Sequence, residues 1–232
     1  MPDSISADLL ANPCLWPDDP PQAMELQRRL APRVRCEKLP STDLHLVAGL
    51  DVTYDDTQLL AAAVVMELDT LRIVESATVT ATPNFPYVPG LFAFRELPPL
   101  LHALDQLQCV PDVLLCDGAG QAHPRRFGLA CHLGVLLDRP VVGVAKSSLG
   151  TPGGIPDRSR GSWAQQRHGN TVVGRVLRTR VGVRPVYVSI GNRVTLDDAC
   201  ALTLRTAPKY RLPEPIRAAD QLSREQLAKI QS

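Results

Sequence analysis

Apolar residues recur at helical spacing through residues 21–34 (Met24, Leu26, Leu30), and the polar Pro40-Ser41-Thr42-Asp43 stretch that follows predicts a loop. Three strand-like segments come next, residues 45–54, 59–68 and 71–81, joined by polar connections too short for crossover helices. They predict an antiparallel meander. From residue 111 the pattern changes to a buried strand (PDVLLCD), a helical stretch over 124–137 and a second buried strand (PVVGVAK, 140–146). That order is a βαβ unit with a parallel pair, so the predicted sheet is mixed. Residues 150–161 (GTPGGIPDRSRG) predict a flexible loop, followed by strands over 171–181 and 185–190 and by helices toward the C-terminus.

Three antiparallel strands followed by alternating helices and parallel strands is the element order of a ribonuclease H-like α/β sheet flanked by helices, although order alone leaves other α/β sheets open. The 232 residues suit one domain without repeat or linker, and residues 1–20 form a Pro-rich leader expected to be peripheral or poorly ordered. A balance of 44% hydrophobic and 21% charged residues excludes a disordered or fibrous chain. Net charge is only +1, so any basic footprint for nucleic acid must be local, as at His123-Pro124-Arg125-Arg126, residues 175–184 and Lys209-Tyr210-Arg211. Six cysteines without a CxxC pair, and an N-terminus without a secretory signal, point to a reducing cytoplasm. Apolar runs stop well short of the ~20 residues that span a bilayer. A monomer with no membrane association and no small-molecule organic cofactor is expected.

The strand VAGLDVTY carries Asp51 on a face otherwise occupied by Val47, Gly49 and Thr53. A carboxylate there is costly unless a partner or a metal neutralises it. Asp117 ends the apolar strand VLLCD and enters Gly118-Ala119-Gly120, at the carboxyl edge of a parallel strand, where ligands of open α/β sheets gather; taken alone it is equally an Asp-Gly turn. Two such carboxylates on neighbouring strands repel unless a cation lies between them. Oxygen-only ligation suits Mg²⁺, with Mn²⁺ as a substitute, and leads to phosphoryl chemistry. Between the two aspartates, Pro83, Pro86 and Pro89 stiffen a loop bearing Phe85, Tyr87 and Val88 ahead of a helix that begins near Gly90. Its aromatics either fold back into the core or form a wedge that enters a base stack.

VAGLDVTY, PYVPGLFAFRE, DGAGQAHPRR, GVAKSSL and YRLPEPIRAAD, spread in that order over residues 47–220, resemble the successive signatures of the endonuclease V family. The resemblance implies a ribonuclease H-like fold, Mg²⁺ dependence and recognition of hypoxanthine. It also implies cleavage of the second phosphodiester 3′ to the lesion, leaving a 3′-hydroxyl and a 5′-phosphate. It makes Asp51, Asp117 and Asp220 metal ligands and adds Glu96 and Lys146 to the catalytic group, with Pro86, Tyr87, Val88 and Pro89 as the wedge. Gly90, Leu91, Phe92, Gly118, Gly120 and His123 would line the lesion pocket or contact phosphate. Without the resemblance, Glu96 and Asp220 are ordinary solvated helix residues, His123 a residue before a helix start and Lys146 a solvated lysine. Many relatives carry a histidine where this chain has Asn192, and a polar residue where it has Ala119.

Three other readings compete. GLDVT also resembles the first phosphate loop of sugar-kinase and actin-like ATPases, but that fold is internally duplicated and this chain is too short for it. A lesion-binding module that does not cut would be expected to have lost acidic ligands, and all four are present. Within the nuclease reading, deoxyinosine in DNA competes with inosine in RNA, because sequence does not place the contacts to a 2′-hydroxyl. DNA repair is favoured, since no added RNA-binding segment is evident.

Overall fold

The computed structural model describes residues 5–40, 44–55 and 57–230, so residues 41–43 of the expected 40–43 loop lie outside the described residues. β1 (Leu46–Tyr54), β2 (Leu59–Glu67) and β3 (Ile73–Ala81) form the expected antiparallel meander. The third strand begins two residues later than its pattern suggests, because Leu71 takes the turn with a φ of 56°. β4 (Val113–Cys116), α4 (Leu129–Leu137) and β5 (Val141–Ala145) make the βαβ unit, with β4 parallel to both β1 and β5. β6 (Trp163–His168), β7 (Thr171–Leu177) and β8 (Val186–Asn192) complete one mixed eight-stranded sheet in the order β3-β2-β1-β4-β5-β8-β7-β6.

Alternating side chains divide the sheet into two apolar faces. Val47, Ala62, Val64, Leu115 and Val142 pack with residues of α5 (Leu196–Arg205) and α6 (Glu214–Ile230). Ala48, Leu50, Ala63 and Leu114 pack with residues of α3 (Ala93–Asp105) and α4. The sheet is therefore sandwiched, as expected for a ribonuclease H-like fold. Gly49 sets how near α6 can approach: a Cβ there would lie 2.0 Å from the Pro215 carbonyl carbon. Helix and strand consequently close on each other beside Asp51.

Three local expectations need correction. The helix expected from residue 124 starts at Leu129, because His123-Pro124-Arg125-Arg126 closes as a turn through the Arg126 N–H donating to the His123 carbonyl, with Arg126 at φ 55°. β7 stops at Leu177 instead of running to 181, since the Arg178 side chain turns in and donates to the carbonyls of Pro156, Asp157 and Val183. β6 was not foreseen at all. Its sequence WAQQRH lacks apolar alternation because it is an edge strand with only Gln166 buried.

The N-terminal region contains α1 (Ile5–Ala11) and α2 (Pro20–Leu30), the latter ending where Ala31–Arg33 tightens into a 3-10 turn around Pro32. Trp16 stacks on buried His132 at 6.1 Å and donates its indole N–H to the Leu9 carbonyl. Among the described residues, no helix is long and apolar enough to cross a membrane.

Candidate active site

β1 and β4 run parallel, with Leu50 opposite Cys116, so the residues that follow, Asp51 and Asp117, stand side by side at one end of the sheet. The Asp117 N–H donates to the Leu50 carbonyl at 3.1 Å and fixes that register. Asp51 is only 8% exposed and accepts a hydrogen bond from the Ser223 hydroxyl of α6 at 3.3 Å. α6 also carries Asp220 to the same edge, and Lys146, just past β5, reaches Asp117 at 2.6 Å and Asp220 at 3.5 Å. Glu96, in the first turn of α3, accepts a 2.6 Å hydrogen bond from the Tyr54 hydroxyl.

Burial, then the charges of Asp117 and Asp220, raise the Asp51 carboxyl to about 7. Burial likewise raises Glu96 to about 8, despite the Tyr54 hydrogen bond. Burial works against Asp220 too, but the Arg224 guanidinium and the Lys146 ammonium hold it below the ordinary carboxylate range. Arg224 grips both Asp220 oxygens at 3.0 and 3.1 Å, so that carboxylate is engaged in an ion pair. Among the described residues, no three acidic, imidazole or thiol side chains are already grouped so as to hold an ion. The donor chemistry nevertheless fits a hard divalent cation. Asp51, Asp117 and Asp220 are oxygen donors, and their mutual repulsion is answered only in part by Lys146.

A pH signature follows. Asp51 and Glu96 bind protons more tightly folded than unfolded, so their contribution to stability is complete at acid pH and is lost as pH rises through their folded values. In chelator, the melting temperature should therefore fall from about pH 5 to about pH 8, and Mg²⁺ or Mn²⁺ should restore it at the alkaline end. A melting temperature in chelator that is level across this range, and unmoved by either cation, would contradict the arrangement.

Beside the carboxylates lies a cleft with a cavity volume of about 100 Å³, lined by Gly90, Phe92, Ala93, Glu96, Asp117, Gly118, Ala119, His123 and also Gln27 and Leu149. Its glycine turn is tightly seated: the Gly120 N–H donates to Ser189 Oγ, and a Cβ at Gly120 would lie 2.0 Å from the Ile190 carbonyl oxygen. Leu91 is fully buried behind this wall. His123 is buried, and burial with Arg125 nearby lowers it to about 4, so the ring is neutral. Its Nε2 donates to the Gly90 carbonyl and its Nδ1 accepts from the Arg125 N–H. The imidazole thus belongs to the cleft wall.

The proline-stiffened loop divides its aromatics. Phe85 folds back against Phe94 and is 4% exposed, whereas Tyr87 is 68% exposed and leans on Phe92 at 5.0 Å. Pro86 and Pro89 are exposed beside it and Val88 is half-buried.

A family model described as Endonuclease V matches residues 28–221. The chain belongs to the endonuclease V family. Endonuclease V of Streptomyces avermitilis is 50% identical over 218 residues, covering 93% of this chain and 95% of that protein. A crystal structure of endonuclease V from the same organism has a TM-score of 0.89 at 49% identity, covering 94% of this chain and 96% of that one. Endonuclease V of Ciona intestinalis, in complex with a 24mer DNA containing an inosine followed by a ribo-adenosine, has a TM-score of 0.79 at 28% identity, covering 89% of this chain and 96% of that one. This family member is accordingly a phosphodiester-cleaving nuclease, and metal dependence is the norm in endonuclease V.

Of the two departures noted in this endonuclease V sequence, Ala119 lines the cleft but Asn192 does not. Asn192 is paired with Val141 at the start of β5, whereas Lys146 lies past that strand's other end. There the Asn192 side chain donates to the Gly134 carbonyl and accepts from the Arg35 N–H. It holds backbone together away from the carboxylates. Sequence reasoning did not find Tyr54, Ser223 or Gln27. Only Gln27 left a legible signal, a polar residue on the apolar face formed by Ala23, Leu26 and Leu30.

Proposed function

We propose that this protein is a Mg²⁺-dependent DNA-repair endonuclease that recognises deoxyinosine and hydrolyses the second phosphodiester 3′ to it, leaving a 3′-hydroxyl and a 5′-phosphate. The observation that carries the reading is the convergence of Asp51, Glu96, Asp117 and Asp220, with Lys146, beside a cleft walled by glycine backbone. The relative from Ciona intestinalis, in complex with inosine-containing DNA, supports the substrate.

Asp51, Asp117 and Asp220 would hold the cation. Bound there, Mg²⁺, or Mn²⁺ in its place, would supply Lewis-acid stabilisation of charge on the phosphate oxygens. The Lys146 ammonium adds a second positive charge to the transition state. Glu96, oriented by the Tyr54 hydroxyl, takes the proton of the attacking water as the bond from phosphorus to the 3′-oxygen breaks. The base turned out of the stack enters the cleft between Gly90–Phe92 and the Gly118–Gly120 turn, and Tyr87 fills the space it leaves.

Tyr87→Ala should therefore lower the preference for a deoxyinosine duplex over its guanine twin by roughly tenfold, the scale of one lost base-stacking contact. Equal preference in variant and parent would remove Tyr87 from recognition. The reading itself is tested with end-labelled duplexes bearing one deoxyinosine in DNA, or one inosine in RNA, incubated with Mg²⁺ or chelator. A single Mg²⁺-dependent nick one nucleotide beyond the lesion in DNA is expected. Preferential cutting of the RNA would move the function to inosine-containing RNA, and tight binding without cutting would make the protein a lesion-binding module.

A further inference from the structure

Of the three basic segments noted in the sequence, two have guanidinium groups engaged within the protein. Arg175 pairs with Asp197 at 2.6 Å and lies over the Trp163 ring, and Arg178 and Arg180 donate to backbone carbonyls. Arg211 donates to the carbonyls of Pro185 and Lys146. The third segment differs. Arg125 and Arg126 line an open pocket with a cavity volume of about 480 Å³, together with Gln121 and with Arg28 of α2. Arg125 donates its Nε to Gln27 Oε1 and its Nη2 to the Gly90 carbonyl, and its Nη1 makes no hydrogen bond among the described residues. The exposed Arg126 side chain makes none either. Among the described residues, Glu25 is the one carboxylate paired with these three cations, at 3.2 Å from Arg28, and both members of that pair are exposed. A surface pair of this kind contributes little. Burial, with the Arg28 charge beside it, holds Arg125 below the ordinary arginine range, so positive charge gathers here without an adequate counter-ion.

The pocket adjoins the lesion cleft through shared walls. Gln27 lines the cleft and Arg28, the next residue, lines the pocket; Gly118 and Ala119 line the cleft and Gln121 lines the pocket. Arg125 joins the two, because its guanidinium is bonded to the Gly90 carbonyl of the cleft wall. A nucleotide whose base occupies the cleft brings backbone phosphates to this neighbourhood. A guanidinium, planar and permanently charged, matches phosphate oxygens with parallel N–H donors. With a net charge of only +1, the chain as a whole attracts a polyanion weakly, and a local cluster must do so. We infer that Arg28, Arg125 and Arg126 form a phosphate seat that holds the backbone of the bound nucleic acid beside the cleft. Contacts of this type set affinity and register and carry no base information, so selection stays with the cleft. The inference rests on the nuclease reading of that cleft, and not on which lesion the cleft takes.

The test compares the parent protein with a double variant, Arg28→Gln with Arg126→Gln, and with Arg167→Gln, an exposed arginine of edge strand β6, as the control. Arg125 is kept because it also braces the Gly90 carbonyl. Binding of a fluorescent duplex is measured in chelator, without cutting, between about 50 and about 200 mM salt. Loss of one phosphate contact should make the slope of log affinity against log salt shallower by about 0.9 in the double variant, with no change in Arg167→Gln. The weakening should be equal for a deoxyinosine duplex and its guanine twin, and Mg²⁺-dependent nicking should show a raised KM with kcat little changed. A double variant with the parent's slope, or a loss of slope shared by Arg167→Gln, would overturn the inference. So would weakening confined to the deoxyinosine duplex, which would give these arginines to base readout. A double variant that keeps the slope but loses the stabilisation inorganic phosphate gives the parent would assign the pocket to a free anion and overturn the inference as well. A parent protein that treats the two duplexes alike, with the slope lost as expected in the double variant, would contradict the deoxyinosine reading and leave the phosphate seat standing.

Discussion

Asp51→Ala or Asp117→Ala should reduce Mg²⁺-dependent nicking of a deoxyinosine duplex on the order of a thousandfold or more, since each removes an anionic ligand from the centre. Binding of the duplex should largely survive, because exposed Tyr87 and the Gly90 and Phe92 side of the cleft are left in place when one aspartate is removed. The variants should also be more stable than the parent in chelator at alkaline pH. Burial, with the charges of Asp117 and Asp220, raises Asp51 to about 7, so removing one negative charge relieves repulsion that Lys146 and Arg224 oppose in part. Lost activity together with gained stability separates a functional carboxylate from a structural one. Undiminished turnover by either variant would remove the proposed centre.

Glu96→Gln should lower turnover by roughly a hundredfold or more, the range expected when a positioned proton acceptor is lost. The substitution preserves shape and still accepts from the Tyr54 hydroxyl, so the fold of α3 and the KM for substrate should change little. Burial holds Glu96 near pH 8 when no cation is bound, and in that state it is largely protonated at neutral pH. A general base accepts a proton only once it is ionised, so activity in the parent should rise with pH until Glu96 is deprotonated, and that rise should disappear in Glu96→Gln. An unchanged pH profile measured on single turnovers would assign proton transfer to another group.

The central strands were legible because burial on both faces leaves a nearly continuous apolar run, as in VLLC and LLAAAVV, and because Asp51 breaks such a pattern. Its pairing with Asp117 needed the parallel register of β1 and β4, which no local pattern contains. Glu96 and Asp220 lie on amphipathic helices where a carboxylate is unremarkable, so only the endonuclease V resemblance singled them out. β6 escaped notice because a polar edge strand alternates weakly. The 83–89 loop shows both sequence expectations at once. Phe85 obeys the hydrophobic effect and turns inward, while Tyr87, two residues on, stays outside where a nucleic acid could meet it.

The most direct test of the carboxylate centre is to locate the cation. Anomalous X-ray diffraction from crystals of the parent protein soaked in Mn²⁺ should show a peak in contact with Asp51 and Asp117, and the peak should be lost in Asp117→Ala. A peak remote from both aspartates, or one that persists in the variant, would contradict the account.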